Sequence, residues 1–137
     1  MHRKYSQDGP GMATGDVNGD GLEDLYVGGA KGQSGVFLLQ QSNGKFTQQS
    51  LGQDEGSEDM GALLFDADDD ADLDLYVVSG SNEYSDGHSA FGDRLYLNNG
   101  QGQFTRDVNA LPEIFSSGSC VTAADYDQDG DLDLFIG

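Results

Sequence analysis

Aspartate at alternate positions, followed at once by a short apolar run, occurs three times in this chain. "DVNGDGLEDLYVGG" starts at Asp16, "DADDDADLDLYVVSG" at Asp66 and "DYDQDGDLDLFIG" at Asp125, at spacings of 50 and 59 residues. Repetition on that scale means one supersecondary unit used several times, which narrows the fold before any single element is assigned. A second element travels with the first, since "FLLQQSNGKFTQQ" from Phe37 corresponds to "LYLNNGQGQFTRD" from Leu95. The extra length of the second spacing falls almost wholly in "SNEYSDGHSAFGD", residues 81–93, which reads as a loop.

Each unit reads as four short strands. The segment before the Asp loop is built of small and medium residues ("GMATGD", "MGALLFD", "SCVTAAD"), as suits a place where backbones crowd together. After the loop comes a continuous apolar run ("DLYVGG", "DLYVVSG", "DLFIG"), the pattern of a strand covered on both faces. The third and fourth strands, "VFLLQQ" with "KFTQQ" and "RLYLNN" with "QFTRD", flank Asn-Gly pairs at 43–44 and 99–100, a strong hairpin signal. No segment carries a helical period, and 21 glycines against two prolines fit an all-β chain with many tight turns.

A four-stranded unit with one strand buried on both faces, repeating every 50 to 59 residues, is what a β-propeller blade requires. The predicted fold is all-β, with blades of four antiparallel strands in a partial propeller of about two and a half blades. Residues 4–8 ("KYSQD") read as the last strand of a preceding blade, 11–50 and 59–108 as blades, and 118–137 as the first half of another. Such an order is expected of a segment of a longer array, or of a chain whose open blade faces associate with copies of itself.

The aspartates then need a reason to crowd. At ~4 Å in a surface-like dielectric each like-charged pair costs about 4 kcal/mol before screening, and a bound cation offsets that cost. Ca²⁺ takes six to eight oxygens at roughly 2.3–2.6 Å, and alternate residues of a tight loop can aim side chains at one centre. Positions 1, 3, 5 and 9 are Asp16, Asn18, Asp20 and Asp24; Asp66, Asp68, Asp70 and Asp74; Asp125, Asp127, Asp129 and Asp133. All are oxygen donors. Position 7 (Leu22, Asp72, Asp131) contributes its backbone carbonyl, so its side chain is free to vary, and it does. The helical EF-hand shares this opening but needs glutamate at position 12, where Val27, Val77 and Ile136 stand instead. Mg²⁺ demands stricter octahedral geometry and keeps more water, which favours Ca²⁺ at three sites. Position 6 is Gly21, Ala71 and Gly130, and the turn there asks for a residue tolerant of positive φ, so Ala71 marks the least regular loop.

The signature Asp-x-(Asp/Asn)-x-Asp-(Gly/Ala)-x-x-Asp, followed by Leu-(Tyr/Phe)-(Val/Ile), resembles the FG-GAP or VCBS type of repeat. The resemblance runs almost end to end, although the Phe-Gly and Gly-Ala-Pro signatures are absent from their usual places. It implies calcium-binding β-propeller blades similar to those of integrin α chains and of bacterial surface and secreted proteins. An extracellular or cell-surface location is the expectation that follows.

Charge limits the partners. Six basic against 25 acidic residues give a net charge of −19, which argues against nucleic acid and anionic lipid. No apolar run is long enough for membrane insertion, and "MHRKYSQDGP" carries no apolar stretch of a signal peptide. Cys120, the sole cysteine, excludes an internal disulfide, and its small-residue neighbours predict a core position. Tyr26, Tyr76 and Phe135 recur at one equivalent place and are expected to pack between blades. His2 and His88 read as surface residues, and Glu83, Tyr84, Asp86 and His88 are the insertion's own candidates for an unshared role. The leading function is a non-enzymatic binding or scaffold module for a protein or glycan ligand, with structural calcium. The competing expectation is a segment of a secreted propeller enzyme acting on polysaccharide, though no Ser/His/Asp arrangement with suitable spacing supports it.

Overall fold

The structure is a computed structural model and describes residues 10–52, 55–80 and 87–137. Its strands are β1 (Met12–Gly15), β2 (Asp24–Val27), β3 (Val36–Gln40), β4 (Phe46–Ser50), β5 (Asp59–Phe65), β6 (Asp74–Ser79), β7 (Arg94–Asn98), β8 (Phe104–Asp107), β9 (Val121–Ala124) and β10 (Asp133–Ile136). One 3₁₀ turn, Ser89–Phe91, sits in the long insertion, and there is no α-helix among the described residues. β1 to β4 form one antiparallel sheet in sequence order, β5 to β8 a second, and β9 pairs with β10. The molecule is all-β, with two complete propeller-type blades and a further hairpin. "KYSQD" lies outside the described residues.

Register explains why every Asp loop ends where it does. Gly15 pairs with Asp24, Phe65 with Asp74 and Ala124 with Asp133, so the ninth loop residue is also the first of the second strand. β6 is buried at all six positions, the two-faced burial that its apolar run predicts. The outer hairpins turn at the expected places but over three residues rather than two. In the first, the Gln41 N–H donates to Lys45 O at 2.7 Å, the Gly44 N–H to Gln41 O at 2.8 Å, and Gly44 takes φ +77°. In the second, the Asn99 N–H donates to Gln103 O at 3.2 Å, and Gly100 and Gly102 both take φ +74°.

Small residues in the first strands let neighbouring units touch backbone to backbone. A Cβ on Gly11 would lie 2.7 Å from the Gly61 carbonyl carbon, and one on Gly61 would lie 3.2 Å from the Cα of Cys120. Between the first two blades, buried Val17, Tyr26 and Phe37 pack against Leu75, Val77 and Tyr96. The Phe37 ring sits 5.1 Å from Tyr26 and stacks on Phe104 at 4.5 Å. Tyr76, Val78 and Leu95 form the next interface, with Val121 and Leu134 from the third unit packed on them. Tyr26 and Tyr76 therefore hold the inter-blade places that their recurrence predicts.

The third unit departs from expectation. Cys120 is exposed, not core, and Phe135 is half exposed with its ring 6.0 Å from that of Tyr126. The sequence patterns are those of the buried siblings, but among the described residues β9 and β10 form a sheet of two strands. Covered strands need neighbours on both sides, and pattern alone does not provide them.

Candidate metal centres

Each Asp loop is folded by its own carboxylates. Asp16 at position 1 accepts the N–H groups of Gly19 at 2.8 Å, Asp20 at 3.2 Å and Gly21 at 2.8 Å. Asp66 accepts from Asp70 and Ala71 at 3.2 and 2.9 Å, and Asp125 from Gly130 at 3.2 Å. At position 3, Asn18 and Asp127 accept the N–H of Asp20 and Asp129 at 3.1 and 3.3 Å. At position 5, Asp20, Asp70 and Asp129 accept the N–H of Leu22, Asp72 and Asp131 at 2.8, 2.9 and 3.0 Å. These local bonds curl the chain so that alternate side chains share one concave side.

Position 9 ties the loop to the sheet. One oxygen of Asp24, Asp74 and Asp133 accepts the N–H of Val17, Ala67 and Tyr126 at 3.1, 2.8 and 2.9 Å. The other oxygen of Asp24 accepts the Gln40 N–H, and that of Asp74 the Asn98 N–H, each at 2.8 Å. Asp24 and Asp74 are buried, whereas Asp133 is exposed. The loop is thereby held to the end of the third strand in both complete blades.

Carboxylates converge in two of the loops. Oxygens of Asp66, Asp68 and Asp74 lie within 4.8 Å of one another, and so do those of Asp125, Asp127 and Asp133. Two ligands on opposite sides of one ion at ~2.4 Å are ~4.8 Å apart, so these groups can hold a metal ion. In the first loop Asn18 takes the place of Asp68, and its Nδ2 donates to Asp20 Oδ2 at 3.3 Å. The position 5 carboxylates are not within the converged triads, and Asp72 turns aside, its Oδ2 lying 2.5 Å from where a Gly100 Cβ would be. Crowding has an electrostatic signature. The Asp74 carboxyl is held above the ordinary carboxylate range by burial first, against the bonds from Asn98 and Ala67, with Asp70 and Asp66 adding repulsion. Asp68 is raised as well, by local desolvation and then by Asp70 and Asp74.

Positive φ occurs twice in each loop. Position 6 takes it at Gly21 (+82°), Ala71 (+72°) and Gly130 (+101°), and position 4 at Gly19 (+73°), Asp69 (+64°) and Gln128 (+62°). Ala71 therefore carries the strain that its place in the signature implies, on the order of 1 kcal/mol. Ala71→Gly is expected to tighten metal binding at the second loop several-fold and leave the others unchanged, measured by titration beside the parent. Equal or weaker binding would mean that the strain is relieved elsewhere in the loop.

Neither position 4 nor the contacts between loops is marked in the sequence. The Asn98 Nδ2 donates to Val17 O in the first loop at 2.8 Å and to Leu73 O in the second at 3.1 Å, so one side chain touches two candidate centres. Its place at the end of "RLYLNN" was visible, but a bond 81 residues long leaves no periodic trace.

Four-stranded blades whose first hairpins close through carboxylate loops define a repeat of the propeller class. The FG-GAP-like repeat profile matches residues 16–77 and 66–136, and the chain belongs to that family. Comparison with curated proteins and with solved structures gave no significant match.

Proposed function

We propose that this chain is a calcium-binding β-propeller module that serves binding or scaffolding in an extracellular or surface protein, with the ion structural and no catalysis of its own. The observation that carries this reading is the convergence of Asp66, Asp68 and Asp74, repeated in register by Asp125, Asp127 and Asp133. An all-oxygen set of irregular geometry suits Ca²⁺. Asp16, Asn18, Asp20 and Asp24 supply the equivalent donors in the first loop, with carbonyls from Leu22, Asp72 and Asp131 completing each shell. Because position 9 also accepts an N–H from the third strand, a bound ion braces three strands of a blade at once. Such a brace suits an extracellular setting, where free calcium is plentiful. Exposed Tyr126 and Phe135, whose rings meet edge-on, present an apolar patch suited to a further blade or a second copy of the chain.

The register of ligands is open to direct test. Asp125→Ala removes a side-chain donor and is expected to abolish one calcium site in calorimetric titration. Asp131→Ala leaves the backbone carbonyl in place and is expected to keep all sites, weakening binding only through local charge. If Asp131→Ala loses an ion while Asp125→Ala keeps every one, the assigned ligands are wrong.

A further inference from the structure

The turn between β7 and β8, residues 99–103, leans on both the first and the second Asp loop, and Asn98 at its root is buried. The Asn98 amide is shared among three segments. Its Nδ2 donates to Val17 O in the first loop at 2.8 Å and to Leu73 O in the second at 3.1 Å, while its Oδ1 accepts the Gly102 N–H of the turn at 3.1 Å. Val17 stands between the donors Asp16 and Asn18, and Leu73 between Asp72 and Asp74, so the amide grips each loop beside a candidate metal ligand. The turn itself is in contact on both sides. A Cβ on Gly102 would lie 3.5 Å from that of Asn18, and one on Gly100 would meet the Asp72 carboxylate. Gln49 Nε2 donates to Gly102 O at 2.6 Å and pins the turn to the first blade. Among the described residues, the hydrogen bonds that shape the third loop stay within that loop.

We propose that Asn98 is a positioning residue that couples the first two metal loops, so that filling either one raises the affinity of the other. An empty loop holds its carboxylates in mutual repulsion and loosens, and a loosened carbonyl leaves the buried amide short of an acceptor. Both carbonyls must be in place for the amide to be satisfied, so an ion that fixes one loop lowers the ordering cost of the other. The coupling is mutual by thermodynamic necessity. Charge works the other way, since each ion cancels negative charge that attracts the next, but that effect acts through solvent and is screened by salt. The intrinsic constant of each loop is unchanged, and what rises is its value when the neighbour is filled.

This inference rests on the calcium reading above. Calorimetric titration of the full chain with calcium, in ~0.15 M salt and with Asp125→Ala disabling the third loop, gives the constants of the two loops in question. Adding Asp16→Ala is expected to weaken the second loop about tenfold relative to its affinity beside a filled neighbour, and adding Asp66→Ala instead to weaken the first by the same factor. Asn98→Leu keeps a side chain of similar shape without the amide and is expected to erase that factor. A merely structural role would weaken both loops and leave the factor unchanged. Gln49→Ala releases the turn at a partly exposed position and is expected to reduce the factor with little change in melting temperature. A second loop that binds equally well with and without the first, or a factor that either substitution leaves untouched, would overturn the proposal while leaving the calcium reading intact. So would an equal factor between the second and third loops, because coupling would then pass through the stability of the whole fold and not through the turn. Absence of calcium binding at every loop would sink the calcium reading itself, and this proposal with it.

Discussion

Replacing Asp59 by alanine is expected to cost about 3–5 kcal/mol of stability, a large part of the ~5–15 kcal/mol that holds a domain together. Asp59 is buried at the start of β5 and serves three partners from two blades. It accepts from the Tyr26 hydroxyl at 2.8 Å and the Gly29 N–H at 2.7 Å, and it pairs with Arg94. Burial disfavours the Arg94 charge, yet Asp59 and Tyr96 outweigh that and hold its pKa above the ordinary value. Tyr26 is pushed upward too, by burial and then by the Asp59 charge and hydrogen bond, and stays a neutral donor. Deleting the carboxylate leaves a buried guanidinium and a buried hydroxyl without their acceptor, and the first blade loses its polar clamp on the second. Asp59→Asn retains an acceptor without the charge and is expected to fall between. Urea unfolding at fixed calcium measures both, and a loss below about 1 kcal/mol for Asp59→Ala would show that the clamp is not structural.

Removing calcium is expected to have the other large effect. At free calcium ~100 times the dissociation constant, each independent site adds about 2.7 kcal/mol, so three add roughly 8 kcal/mol. The apo chain is expected to respond to pH in the opposite sense from the loaded one. The pKa values of Asp68, Asp74 and Asp93 are raised in the folded state, so ionising them opposes folding when no ion is bound. Their contribution is fully present below the ordinary carboxylate pKa and is lost as pH rises through the raised values. In chelator the melting temperature should therefore climb as pH falls from neutral toward ~4, while in calcium it should fall as protons displace the ion. Parallel trends in the two buffers would contradict a metal held by these carboxylates.

Much of this architecture was legible because it is local and repeated. Strand boundaries followed from the Asp loops, since the ninth residue both closes the loop and opens the next strand. The burial of Tyr26 and Tyr76 followed from their recurrence at one place. Contacts that occur once were not legible. The Asp59–Arg94 pair spans 35 residues and has no counterpart in the next repeat, where Tyr76 donates instead to Asp93 at 2.9 Å. Position 4 carries no signature in the sequence, because Gly19, Asp69 and Gln128 share a backbone conformation and no chemistry. Cys120 and Phe135 carry the sequence patterns of buried siblings yet are exposed, since burial depends on which strands lie alongside.

The most direct test of one ion per Asp loop is a calorimetric count of calcium bound to the chelator-stripped chain. Three equivalents are expected, falling to two when Asp66, at the first position of the second loop, is replaced by alanine. A parent chain that binds no calcium, or an Asp66→Ala chain that still binds three, would contradict the account.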